Sequence, residues 1–136
     1  MLATESVARE SGHTGLIALE HVATAAIEPG LMGYAPTYAL RSLLDRTGLT
    51  VDIDIVELNE ALASQAVAVS RDVGLDPERT SPYGGAIALG HPVGATGAIL
   101  TLRVVKHLRR TGSELGIVTM SIGGGQALAA HFRRLD

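Results

Sequence analysis

The sequence predicts an α/β domain, a mixed sheet flanked by helices in the order β-α-β-α-β-α-β-β. Three observations lead there. Segments with apolar alternation or unbroken apolar runs are separated by segments with apolar residues at helical spacing. Gly48, Gly74 and Gly112 stand where three of the helical patterns stop, the position at which glycine closes a helix. The last two extended segments are joined only by Ser121-Ile122-Gly123-Gly124-Gly125, which reads as a hairpin corner. Parallel strands need long crossovers, so the helices belong between the earlier strands and only the final pair can be a hairpin.

In chain order, Thr4 to Ser11 reads as a short helix with Thr4 as its cap and Gly12 closing it. The apolar run Gly15 to Ile27, bounded by Pro29-Gly30, reads as a strand. Pro36 suits a first helical turn, and Ala39, Leu40, Leu43 and Leu44 form the stripe of a helix ending before Gly48. Ile53 to Leu58 alternates and is rich in β-branched residues, a strand that delivers Asn59 at its carboxyl end. From Glu60 the period becomes helical, with Leu62, Ala66, Val69 and Val73 as the stripe. A short extended segment supplies the third strand. The next helix, Ala95 through Leu108 and closed by Gly112, is expected to bury Ala98, Leu102 and Val105 and to turn Arg103, Lys106 and Arg110 to water. Leu115–Met120 and Gln126–Phe132 are the closing strands.

With 136 residues the chain makes one domain with room for a core. Apolar residues are 46%, charged residues 18% and the net charge is -3, which excludes disorder and gives no footprint for nucleic acid. Aromatic residues are only 3%, so the core has to be aliphatic. The absence of cysteine excludes disulfides, thiolate metal sites and a thiol nucleophile on these residues. No apolar run reaches the roughly 18 residues of a membrane span, and Met1 to Glu5 has no signal-peptide character, so the expected location is cytoplasmic.

The stretch Ser81 to Gly97 holds one histidine, two prolines and five glycines, and is expected to be neither ordinary helix nor strand. Pro92 forces His91 out of helical geometry, which fixes it just ahead of a helix N-terminus, where developing negative charge is favoured. Three junctions, Asn59-Glu60-Ala61, Gly90-His91-Pro92 and Ser121-Ile122-Gly123, can meet at one sheet edge, where α/β sites form. An imidazole Nε2–H and an asparagine amide are both donors. Together, or through a water, they can hold a carbonyl oxygen as it gains charge. Simpler roles compete: Asn59 as a helix N-cap, Ser121 as a turn residue. No Gly-Lys-Ser/Thr follows Gly123-Gly124-Gly125, which removes a nucleotide-binding reading. His13, His21, His107 and His131 have no ligand spacing, so no metal site is expected.

Asn59-Glu60-Ala61, the block Gly84-Gly85-Ala86-Ile87-Ala88-Leu89-Gly90-His91-Pro92-Val93-Gly94-Ala95-Thr96-Gly97, and Ser121-Ile122-Gly123-Gly124-Gly125-Gln126 together resemble the C-terminal half of thiolases, the acetyl-CoA acetyltransferases and 3-ketoacyl-CoA thiolases. The resemblance implies a fold in which two similar halves stack into five alternating layers. It implies that residues 13–136 are the C-terminal domain and residues 1–12 the tail of the preceding half. By the same resemblance, the asparagine matching Asn59 holds a water, and the histidine matching His91 shares an oxyanion hole with it. Gly90 and Gly123 support these loops. Met32-Gly33-Tyr34 starts a loop near the acyl pocket, with Met32 on the substrate side. The expected substrate is an acyl-coenzyme A thioester, with no tightly bound cofactor. The expected partners are a complementary thiolase half or a second copy.

The match breaks at Ser121, where the family has the acid/base cysteine. A thiol of pKa about 8.5 can be tuned toward neutrality, whereas a serine hydroxyl is far weaker as an acid. Ser81 replaces an asparagine, Leu62 a phenylalanine and Ala127 a glycine of the family pattern. The family's acyl-accepting cysteine and most coenzyme A contacts lie in the N-terminal half. Covalent catalysis needs that nucleophile within bonding reach, so the chain alone is expected to be inactive. Two functions follow: the catalytic C-terminal half of an acyltransferase, or a non-catalytic thiolase-like module that binds a partner through the face its other half would cover.

Overall fold

A computed structural model describes residues 1–136. Its elements are α1 (Glu5–Glu10), β1 (Ile17–Ala26), a 3-10 turn (Pro29–Tyr34), α2 (Ala35–Thr47), β2 (Ile55–Leu58), α3 (Ala63–Val73), α4 (Ala86–Leu89), α5 (Thr96–Thr111), β3 (Leu115–Gly123) and β4 (Gln126–Arg134). The four strands form one mixed sheet in the order β1-β4-β3-β2, with β2 parallel to β3 and β4 antiparallel to both of its neighbours.

Each sheet face carries its own aliphatic core. Against one face pack α2 and α3, joining Leu40, Leu43 and Val69 to Val56, Leu58 and Ile117. Against the other packs α5, whose Leu100, Val104 and Leu108 meet Ile55, Val118 and Phe132. A fully buried side chain of this size contributes about 1.5–3 kcal/mol, so these two layers are what hold the strand ends in place. The hairpin between β3 and β4 turns through Gly124 and Gly125, at φ 59° and 83°. Positive φ at both central residues is what a tight twisted hairpin requires, and glycine supplies it at least cost.

Several expectations are corrected. The third strand reduces to one parallel bridge, Thr80 to Val56, on the outer edge of β2. Pro82 carries no N–H and glycines follow at once, so the ladder stops after that bridge. The glycine stretch does contain helix, the four residues of α4, closed by Gly90 at φ 93°. Helix α3 begins at Ala63 with Leu62 at its N-cap, not at Glu60, so Asn59 is not a cap. Leu62 is exposed and does not belong to the buried stripe. On α5 the buried face is Thr96, Leu100, Val104 and Leu108, and Leu102 is 57% exposed. Arg103 is turned inward, toward the sheet, rather than to water.

Candidate active site

Asn59 continues β2 by one residue, its backbone N–H donating to Thr119 O at 2.9 Å. Strand alternation puts it on the α5 side with Ile55 and Glu57, and it is 2% exposed. Its Nδ2 lies 3.4 Å from His91 Nε2, and its Oδ1 is buried without a protein partner. The neighbouring Glu60 reaches the same loop from the other side, its Oε2 accepting the Ile87 N–H at 3.1 Å in the first turn of α4. A Cβ on Gly85 would overlap that same carboxylate. The two adjacent residues Asn59 and Glu60 therefore grip both ends of the segment that carries His91.

His91 is exposed on this chain, but its ring is oriented. Nδ1 lies 2.7 Å from the hydroxyl of Thr96, which also reaches Pro92 O at 3.1 Å. Thr96 is buried in the first turn of α5. Its hydroxyl has one hydrogen. Donated to Pro92 O, that hydrogen leaves the oxygen to accept Nδ1–H, and Nε2 then takes the Asn59 Nδ2–H. Donated to Nδ1, it leaves Nε2 protonated. Nε2–H and Nδ2–H are then two donors 3.4 Å apart, able to converge on a single oxygen.

Behind this pair sits a buried carboxyl. Glu57 is 0% exposed, and Arg103 of α5 approaches its Oε2 at 3.3 Å while donating to Gly84 O at 2.6 Å. Burial pushes the Glu57 carboxyl above its ordinary 4.5, the Arg103 guanidinium works against that shift, and Glu60 adds to it. Arg103 thus couples the sheet to the start of the glycine loop. Ser81 enters that loop at φ 46°, a left-handed conformation that asparagine tolerates better than serine, and its hydroxyl donates to Leu58 O at 3.2 Å.

The structure brings together Asn59, His91 and Gly90. Asn59, Gly90 and Thr96 line one small cleft with Arg103. Ser121 does not line it. It is half-buried on β3 with Ala127 opposite, and alternation places it on the sheet face of Ile117 and Thr119, away from α5. Met32, half-buried, sits on the 3-10 turn, which packs on β3 and α3 and is tied to α3 by Tyr34 donating to Asp72. Gly123 ends β3 at φ 114°. Thr96, Glu60, Glu57 and Arg103 were not singled out from sequence. Thr96 and Glu60 lay inside the family motifs, whereas nothing in the spacing marked the Glu57–Arg103 pair.

Residues 13–134 match the family described as thiolase, C-terminal domain. The chain belongs to the thiolase family. This thiolase domain is 47% identical over 112 residues to the beta-ketothiolase BktB of Cupriavidus necator, covering 82% of the chain and 28% of that protein. It is 41% identical to an acetyl-CoA acetyltransferase of Paracoccus denitrificans, covering 98% of the chain and 34% of the relative. The crystal structure of the Bacillus anthracis acetyl-CoA acetyltransferase superposes with a TM-score of 0.92 at 36% identity, over 96% of this chain and 34% of that one. The chain spans about a third of the length of these relatives. No helix of this thiolase domain is long and apolar enough to cross a membrane.

Proposed function

We propose that the chain is the catalytic C-terminal half of a thiolase-type acyltransferase that condenses or cleaves acyl-coenzyme A thioesters, working with an N-terminal half that carries the nucleophilic cysteine. The observation that supports this is the approach of His91 Nε2 to Asn59 Nδ2, 3.4 Å apart at the rim of the sheet, which makes two converging donors when Nε2 carries the proton. When a thiolate attacks a thioester carbon, an electron pair moves onto the carbonyl oxygen. Nε2–H of His91 donates to that oxygen, and the Asn59 amide donates to it directly or through a water, for which the unpartnered Oδ1 is a second anchor. When the Thr96 hydroxyl gives its one hydrogen to Nδ1 rather than to Pro92 O, it holds the ring in the tautomer whose Nε2 donates.

The surroundings favour a covering partner. Ile87, Leu89 and Val93 flank His91 along the chain, and all three are exposed, as is Leu102 on α5. Large apolar side chains gathered around a polar site mark an interaction surface. Helix α1 buries none of its residues, which suits the reading of residues 1–12 as the tail of a preceding half. The weak acidity of Ser121 favours the second reading, a thiolase-like module without catalysis.

A separately prepared N-terminal thiolase half, mixed with the chain, is expected to co-elute with it in a defined complex on size-exclusion chromatography and to reduce its binding of a hydrophobic dye. Separate elution with unchanged dye binding would contradict a covering half, and with it the catalytic reading.

A further inference from the structure

Three side chains far from the His91 site, with no part in the acyl chemistry, meet because of the strand register. His21 of β1 pairs directly with His131 of β4, and the register shift between Leu19 and His21 leaves Glu20 as an extra residue at that point. The ladder thus joins two histidines that spacing along the chain kept apart. Their rings stack at 6.1 Å and 15°. His131 is 3% exposed, and neither of its ring nitrogens has a hydrogen-bond partner. A buried imidazole is ordinarily satisfied, and a ligand on Nδ1, the nitrogen that faces Glu20, would give that atom the partner it lacks. Glu20 Oε2 lies 3.6 Å from His131 Nδ1, and one ligand atom from each of Glu20, His21 and His131 falls within 4.8 Å of the others.

We propose that Glu20, His21 and His131 bind a divalent transition-metal ion, with Zn²⁺ as the cation their chemistry fits. Two imidazoles and one carboxylate are a borderline-soft donor set suited to Zn²⁺, and a fourth, open position is left for water. Bonds of about 2.0–2.1 Å in a tetrahedron put ligand atoms roughly 3.3 Å apart. The Glu20–His131 approach is already near that value, and the exposed His21 ring is free to close the remainder. Arg133 donates from Nε to Glu20 Oε1 at 2.7 Å, which fixes the carboxylate while leaving Oε2 on the histidine side. Ligating carboxylates are commonly held in this way by an outer partner. The site is independent of the acyl chemistry. His131 pairs with Ile117 and Ala127 with Ser121, four residues along β3 and about 13 Å away.

The untagged chain, freed of metal with a chelator, is to be titrated with Zn²⁺ by calorimetry and with Co²⁺ by visible absorption. One saturable equivalent is expected, with the intense ligand-field bands of four-coordinate Co²⁺. His21→Ala and Glu20→Gln, both outside the core, are expected to weaken binding at least tenfold, and Zn²⁺ is expected to raise the Tm of the native chain but not of His21→Ala. His13→Ala and His107→Ala serve as controls and are expected to bind as the native chain does. Absence of a saturable equivalent, or binding unchanged in both His21→Ala and Glu20→Gln, overturns the proposal.

Discussion

In complex with an N-terminal half that carries the nucleophilic cysteine, Ser121→Cys is expected to cleave acetoacetyl-coenzyme A about 10²–10⁴-fold faster than the native chain, the range a positioned acid or base contributes. Thiolysis and condensation both move a proton between sulfur or carbon and a group on the protein. A thiol of pKa about 8.5 is readily tuned for such a transfer, and a serine hydroxyl is not. The change fits sterically, since Ser121 is half-buried on β3 with Ala127 opposite, just before the register shift that leads to Gly123, and a sulfur adds little volume. Equal rates for the two chains in the same complex would remove Ser121 from the reaction.

The second large effect is on stability. Arg103→Ala is expected to cost about 3–5 kcal/mol at pH 8, the loss that follows when one partner of a buried ion pair is removed and the other is left without its counter-charge. Glu57 has no exposure, and Arg103 is its only cationic neighbour. The sign of the pH dependence follows from burial. The folded carboxyl lies above its ordinary 4.5, so its contribution to stability is fully present below 4.5 and is lost as pH rises through the folded value. Arg103 lowers that value, so its removal extends the loss to higher pH. The cost of Arg103→Ala measured by denaturant titration should therefore be larger at pH 8 than at pH 5. Glu57→Gln should flatten the profile, and adding it to Arg103→Ala should recover most of the loss. A pH-independent cost would show that the pair is not what Arg103 serves.

What could be read from sequence was whatever depends on local chain chemistry. Gly48 and Gly112 do close α2 and α5 in left-handed conformations, and the glycine corner does form the hairpin. The meeting of Asn59 and His91 was legible for the same reason, because β2 delivers Asn59 at its carboxyl end and Pro92 keeps His91 out of helical geometry just ahead of α5. The face of α5 was not. Ile99, Leu100, Leu102, Val104 and Val105 surround that helix, and only the tertiary position of the sheet selects Leu100 and Val104. The start of α3 was missed because the buried Asn59 is held by β3 and His91, which delays the first helical turn. The His21–His131 pair, the Glu57–Arg103 pair and the bridge at Thr80 are non-local, and no period along the chain carries them.

The most direct test is the turnover of His91→Ala, made in the Ser121→Cys chain and assayed with the N-terminal half. If Nε2–H stabilises the charge that develops on the thioester oxygen, kcat falls about 10²–10³-fold while KM changes little. A kcat equal to that of the His91-bearing complex would contradict the oxyanion role on which this account of the domain stands.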